Sequence, residues 1–232
     1  MLQANNIRRA VDDLLLLKDV SLTVRAAERL AIVGPTGSGK PLLLRALALL
    51  DPIDCGEIRW QGRAVRGNSV PEFRSRVMYL HQRPALVEGT VEDNLRIPFT
   101  LRSQQGRQYS RDAIQTHLKQ VDRHVSFLDR STRDLSGGEA QIVALLRAIQ
   151  LEPTVLLLDE PTAALDDETT HLIEQLVRGW CDDRDAERAL IWVSHNRQQV
   201  TRIASRVVTM TGGTLADGTV TDNLDDTPEP PR

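Results

Sequence analysis

Leu135-Ser136-Gly137-Gly138-Glu139 begins twenty residues before an apolar run, Val155-Leu156-Leu157-Leu158, that ends in Asp159-Glu160. Upstream lies Gly34-Pro35-Thr36-Gly37-Ser38-Gly39-Lys40, directly after Leu30-Ala31-Ile32-Val33 and before the apolar stretch Leu42 to Leu50. These three stretches, in this order, decide the fold. A continuously apolar run of four reads as a buried parallel strand. The run at 30–33, the Gly-rich loop and a helix over 42–50 give the strand–loop–helix context of a phosphate loop. The plain alternative is a Gly-rich turn bearing a surface lysine. The downstream stretches argue against it.

The rest of the chain is read outward from there. Residues 2–33 read as short strands and turns, with Ser21-Leu22-Thr23-Val24 alternating as a half-buried strand does. Strands are expected at 57–60, turning at Gly62, and at Val77-Met78-Tyr79-Leu80, which ends at His81-Gln82. Residues 84–150 change character and contain a helical stretch from Arg111 to Val121. From Val155 the alternation of strand and helix resumes: strand 155–158, helix about 167–180, strand 189–193, helix about 197–204, strand 206–210 and a Gly212-Gly213 hairpin turn. The acidic, Pro-rich residues 222–232 are expected to form a disordered tail.

Composition bounds the function. At 232 residues, 41% hydrophobic and 26% charged, the chain suits one globular domain with a subdomain. A net charge of −3 does not announce a nucleic-acid binder. The only lysines are Lys18, Lys40 and Lys119, so Lys40 stands out at its loop position. Cys55 and Cys181 have no CxxC spacing, which argues against a disulfide or metal framework and fits a reducing cytosol. No apolar run approaches the ~20 residues that a membrane helix needs. The start of the chain lacks the basic-then-apolar pattern of a signal segment.

The chemistry follows from residue types. Gly34, Gly37 and Gly39 let the backbone turn tightly and aim N–H groups inward, and the following helix adds its positive end. Such a loop, with Lys40, suits the β- and γ-phosphates of a nucleotide triphosphate. Asp159 closes a strand, so its carboxylate emerges at the edge where open α/β sheets bind ligands. It is the candidate Mg²⁺ ligand, directly or through water. A helix cap is the bland alternative for the Asp159-Glu160 pair. His117 and His124, seven apart, can share a helix face, but a metal site needs more ligands.

A phosphate loop, LSGGE and strand-Asp-Glu together resemble the ATP-binding subunit of an ABC (ATP-binding cassette) transporter, over roughly residues 2–216. The resemblance implies an α/β fold: a P-loop NTPase (RecA-like) core with an antiparallel β subdomain and a helical subdomain. The expected partition is an ATP-binding domain over 1–221, with core 1–83 and 151–221 and helical subdomain about 84–150. The resemblance implies ATP contacts from Gly34, Pro35, Thr36, Gly37, Ser38, Gly39, Lys40, Pro41 and Leu42. It makes Glu160 the general base for the attacking water, Gln82 the Q-loop glutamine near Mg²⁺ or that water, and His195 the switch histidine at the γ-phosphate. Pro161-Thr162 and Ala164-Leu165-Asp166 match the D-loop. Ser136, Gly137 and Gly138 would close over ATP held by a second, identical subunit. The implied partners are that subunit and a transmembrane permease, with no nucleic acid, on the cytoplasmic face of the membrane. Two stretches, Thr90-Val91-Glu92-Asp93-Asn94-Leu95-Arg96-Ile97-Pro98-Phe99 and Ile191-Trp192-Val193-Ser194-His195, resemble members of the iron-export type.

The pattern breaks at Pro41, where the phosphate loop requires Ser or Thr. Proline offers no hydroxyl for Mg²⁺ and no N–H for phosphate, though its ring is acceptable in a first helical turn. Weakened Mg²⁺–ATP binding and slower hydrolysis are expected. Arg9 takes the place of the adenine-stacking aromatic, and an arginine can stack on a base. Glu139 replaces the usual Gln of the signature, and Ile142 stands where many members carry Arg. The readings are an ATPase driving a separate permease, or an ATP-binding regulatory or structural cassette with little turnover. A soluble ABC ATPase in DNA repair or translation is a third reading, and this chain shows none of the coiled-coil insertion, zinc cysteines or second cassette that such a resemblance brings.

Overall fold

A computed structural model describes residues 1–163, 165–182 and 187–218. Ala164 of the D-loop match and the expected tail at 222–232 lie outside these residues. In chain order the main elements are β1 (Leu2–Val11), β2 (Leu14–Val24), β3 (Arg29–Val33), α1 (Lys40–Leu47), β4 (Cys55–Trp60), β5 (Arg63–Ala64), α2 (Val70–Arg76) and β6 (Val77–Leu80). Then come α3 (Val91–Arg96), α4 (Arg111–Gln120), α5 (Gly137–Ile149), β7 (Val155–Asp159), α6 (Asp167–Cys181), β8 (Ala189–Val193), α7 (Arg197–Ile203), β9 (Arg206–Thr211) and β10 (Thr214–Gly218). Internal contacts group the chain into two compact units, Met1–Val65 with Ala189 onward, and Arg66–Arg188.

In the first unit, β2, β1, β4 and β5 form an antiparallel sheet. The expected short strands at 2–33 are in fact long ones, ten residues in β1 and eleven in β2. Two features hid them. Their connection is only Asp12-Asp13, both at positive φ, 48° and 63°, a two-residue hairpin without the usual Asn-Gly signal. Register shifts after Ala4, Ile7 and Arg9 break the period-two alternation.

β3 pairs in parallel with β8 on one side and β9 on the other, and β10 closes antiparallel on β9. Leu30, Ala31, Ile32, Ala189, Leu190, Ile191, Trp192 and Val193 are all at most 1% exposed, as strands covered on both faces must be. The β9–β10 turn is Gly212-Gly213, as expected, with φ 53° and 87°. Helix α1 starts earlier than expected, at Lys40 rather than Leu42, because Gly39 at φ 103° ends the loop and Pro41 is accommodated in the first turn. It also ends earlier, at Leu47: Leu49 swings to φ 53° and takes the chain out of the helix.

In the second unit, β6 pairs in parallel with β7. Helices α3, α4 and α5 fall within residues 84–150. Ile142, where many relatives carry Arg, is 1% exposed on the packed face of α5. Helix α4 stops at Gln120, so His117 and His124 do not share a face. Asp122, at φ 49°, follows the helix end, and His124 instead caps the next turn, its Nδ1 accepting from the Ser126 N–H.

Candidate functional site

The phosphate loop is built by the first unit alone. β3 delivers Gly34, whose φ of 141° no other residue type tolerates well. A Cβ there would stand 2.0 Å from the Met210 carbonyl oxygen of β9. The other end of the loop is tied as well: the Gly213 N–H donates to the Ser38 carbonyl at 3.1 Å. The Gly212-Gly213 turn therefore braces the loop as well as ending a hairpin. Lys40 is buried, at 6% exposed, and its Nζ donates to the carbonyls of Gly34 at 2.8 Å and Pro35 at 2.9 Å. An ammonium this buried must be partnered, and here the loop's own carbonyls hold it. Pro35, Thr36 and Gly37 are exposed at the tip, Ser38 is buried, and Pro41 is exposed in the first turn of α1. That turn carries no acidic residue, so nothing within it offsets the positive end of the helix.

Two further expected residues belong to this unit. Arg9 sits on β1, and its Nη1 donates to Asp54 Oδ1 at 2.9 Å. Asp54 also accepts the Ala10 N–H at 2.6 Å, and that backbone bond, followed by the Arg9 guanidinium, holds its carboxyl below the usual range. Arg9 is thus anchored to the turn before β4. His195 is exposed in the loop between β8 and α7. The loop is fixed beneath it: Asn196 caps α7 by accepting the Gln199 N–H, Ser194 Oγ accepts the Asn196 N–H, and the buried Trp192 indole donates to Gln199 Oε1 at 3.1 Å.

The second unit places the acidic pair. β6 and β7 pair with Val77 against Val155 and Leu80 against Leu158, a constant offset of 78 residues. Carried past the strand ends, the same offset brings Gln82 opposite Glu160. Gln82 Nε2 indeed donates to Glu160 Oε2 at 3.1 Å. Glu160 turns the chain away from the strand at φ 44°. Asp159 is 4% exposed, and the Tyr79 phenol donates to its Oδ2 at 3.0 Å. The sequence reading missed Tyr79. Its signal was the parallel offset, which puts residue 79 beside Leu157 and hence on the face of Asp159, two residues on.

Ser136 is the N-cap of α5, with its Oγ accepting from the Glu139 N–H at 3.2 Å and the Glu139 carboxylate accepting from the Ser136 N–H at 2.9 Å. This capping box explains why Glu serves at position 139: either carboxylate or amide can close it. Burial pushes the Glu139 carboxyl up, but the Ser136 N–H and the Arg130 guanidinium outweigh it and leave the value lowered. Ser136 and Gly137 are exposed. A Cβ on Gly138 would approach Leu165 of the D-loop match to 2.7 Å, so these two segments are packed together. Asp166 caps α6 by accepting the Thr169 N–H at 2.7 Å.

A braced phosphate loop after a buried strand, a strand-end carboxylate with an adjacent glutamate, and a Ser-Gly-Gly helix start define a nucleotide-triphosphate-binding α/β cassette. The family model for ABC transporters matches residues 17–163. The "Probable iron export ATP-binding protein FetA" of Escherichia coli (strain K12) is 32% identical over 90% of this chain and 91% of its own length. A "Probable anion import ATP-binding protein" of Haloferax volcanii is 34% identical over 100% of this chain and 84% of its own length. The fold is that of the dimeric ATP-binding cassette MJ0796 in its post-hydrolysis state, with a TM-score of 0.82 at 23% identity over 96% of this chain and 100% of that one. The chain belongs to the ABC transporter family, as an ATP-binding and ATP-hydrolysing subunit. Subunits of this family work as dimers and power transport through membrane permeases. No helix among the described residues is long and apolar enough to cross a membrane.

Proposed function

We propose that this chain hydrolyses Mg²⁺–ATP with its phosphate loop and acidic pair, as the motor of a separately encoded transmembrane permease. The observation that carries the proposal is the Gln82–Glu160 hydrogen bond, because it joins the Q-loop glutamine to the general base through strand register alone. In this reading the loop from Gly34 to Leu42 binds the triphosphate, with Lys40 exchanging its loop carbonyls for phosphate oxygens. Glu160 takes the proton of the attacking water, Gln82 orients it, and His195 contacts the γ-phosphate. Arg9 lies against the adenine while held by Asp54.

The donor set fits Mg²⁺, a hard cation that takes one or two carboxylates and completes its shell with phosphate and water. Asp159, a buried carboxylate at a strand end, would hold it with Gln82. Mg²⁺ would supply neutralisation of the charge on the triphosphate.

Ser136, Gly137 and Gly138 close over ATP bound to a second copy of the chain. Residues 1–83 and 151–221 act as the core and about 84–150 as the helical subdomain that meets the permease, at the cytoplasmic face of the membrane and without nucleic acid. Iron export is the transport step favoured by the FetA likeness and by the stretches at 90–99 and 191–195.

Mg²⁺-dependent phosphate release by the purified protein tests the motor. Release abolished by Glu160→Gln supports it. Release that survives Glu160→Gln refutes the role of Glu160. Pro41 specifically favours a second reading, an ATP-binding cassette with little turnover. Tight ATP binding without release, alone and with its permease, would establish that one.

A further inference from the structure

We propose that Tyr79 is a positioning residue for the metal site: its phenol fixes the Asp159 carboxylate in the orientation that receives Mg²⁺. The inference rests on Asp159 being the metal-holding carboxylate.

Asp159 is 4% exposed at the end of β7, where both preceding leucines are fully buried. A carboxylate in such surroundings needs donors to stay ionised and to keep one rotamer. Tyr79 Oη donates to its Oδ2 at 3.0 Å. The contact is set by register. Tyr79 pairs with Leu157, side chains of paired residues leave a sheet on the same side, and Asp159 is two residues further on that side. The diagonal is ~7–8 Å between backbones, beyond a serine but within reach of an aromatic side chain. No shorter hydroxyl on β6 could replace the phenol. The ring is itself steadied edge-on by His81, with centroids 6.1 Å apart.

Hydrogen-bond partners of metal ligands orient them, and losing one typically weakens metal affinity ~10–100-fold. Tyr79 and Asp159 lie on paired strands of the same unit, so the contact does not depend on any other part of the chain.

The test uses the full chain carrying Glu160→Gln, so that ATP persists. Mn²⁺ affinity of the ATP-loaded protein is measured by the electron paramagnetic resonance signal of free Mn²⁺. ATP affinity without metal is measured in parallel. Tyr79→Phe keeps the ring and removes only the hydroxyl. The expected result is Mn²⁺ binding weakened ~10-fold, with metal-free ATP affinity unchanged and a lowered thermal midpoint, since the buried carboxylate loses a donor. Asp159→Asn should weaken Mn²⁺ at least as much. If Asp159→Asn weakens Mn²⁺ and Tyr79→Phe does not, Tyr79 has no positioning role. If Tyr79→Phe lowers metal-free ATP affinity to the same degree, its effect is structural and the proposal fails. If Asp159→Asn leaves Mn²⁺ binding intact, the metal assignment itself is wrong and Tyr79 falls with it.

Discussion

Replacing Pro41 by serine should raise activity and lower stability, and these opposite signs make it the most informative single change. The fold term comes first. Pro41 lies in the first turn of α1, where its fixed φ is the helical one and its missing N–H breaks no intrahelical bond. Proline at a compatible site stabilises by about 0.4–1 kcal/mol through the unfolded chain. Serine gives that up, and for a chain of this size the melting midpoint should fall by about 1–4 °C. The ligand term runs the other way. α1 opens with Gly39 in a left-handed conformation and carries no acidic residue in its first turn, so its positive end favours a ligand anion. One restored N–H aimed at a phosphate oxygen is a charge-assisted bond of about 1.5–3 kcal/mol, or roughly 10- to 150-fold in affinity. The serine hydroxyl adds a metal ligand, which should appear as turnover at lower Mg²⁺. The assay is phosphate release from Mg²⁺–ATP beside calorimetric ATP binding and a melting curve, with Glu160→Gln as the control for each protein. Equal rates for the wild-type protein and the Pro41→Ser variant, both abolished by the control, would refute the claim that proline limits this motor. Equal rates of zero call for the same comparison with the permease present.

Three further outcomes are expected. Gly34→Ala should destabilise by about 3 kcal/mol or more, since the new Cβ would meet the Met210 carbonyl at 2.0 Å on a backbone at φ 141°; a normal melting curve would show that the loop can shift off β9. Ser136→Ala removes the N-cap of α5 and should cost about 1 kcal/mol, a midpoint drop of about 2–4 °C, read by thermal unfolding. Glu139 has a carboxyl value lowered from 4.5, by the Ser136 N–H and Arg130 against the effect of burial. A lowered folded value means its stabilisation is complete above 4.5 and is lost as pH falls through the folded value; the stability gap between wild type and Glu139→Gln should therefore narrow below pH 4.5, and a gap independent of pH would exclude the ionised capping box.

Much of the site could be read from the chain because its parts are consecutive. The phosphate loop, the strand-Asp-Glu pair and the Ser-x-x-Glu capping box each lie within a few residues, where turn, strand-end and helix-start rules apply directly. What escaped depended on irregular turn and strand geometry and on pairing between distant segments. Asp12-Asp13 supports a tight hairpin only because both residues reach positive φ, and bulges erased the alternation of β1 and β2. The bracing of Gly34 by Met210 and of Ser38 by Gly213 joins residues more than 170 positions apart, and nothing local announces it.

Tyr79 shows how the two kinds of information combine. Once β6 and β7 are taken as parallel neighbours with both acidic residues at the end of β7, a single number, the offset, determines what faces them. An offset of 78 puts Gln82 against Glu160 and Tyr79 diagonal to Asp159. A slip of one residue would turn each of these side chains to the opposite face. The register sets buried Val77 beside buried Val155 and buried Leu80 beside buried Leu158. Packing of apolar residues that touch no ligand therefore sets the geometry of the acidic pair. For this reason a change at Leu157 that preserved the fold but loosened the pairing would be felt first at Asp159 and Glu160.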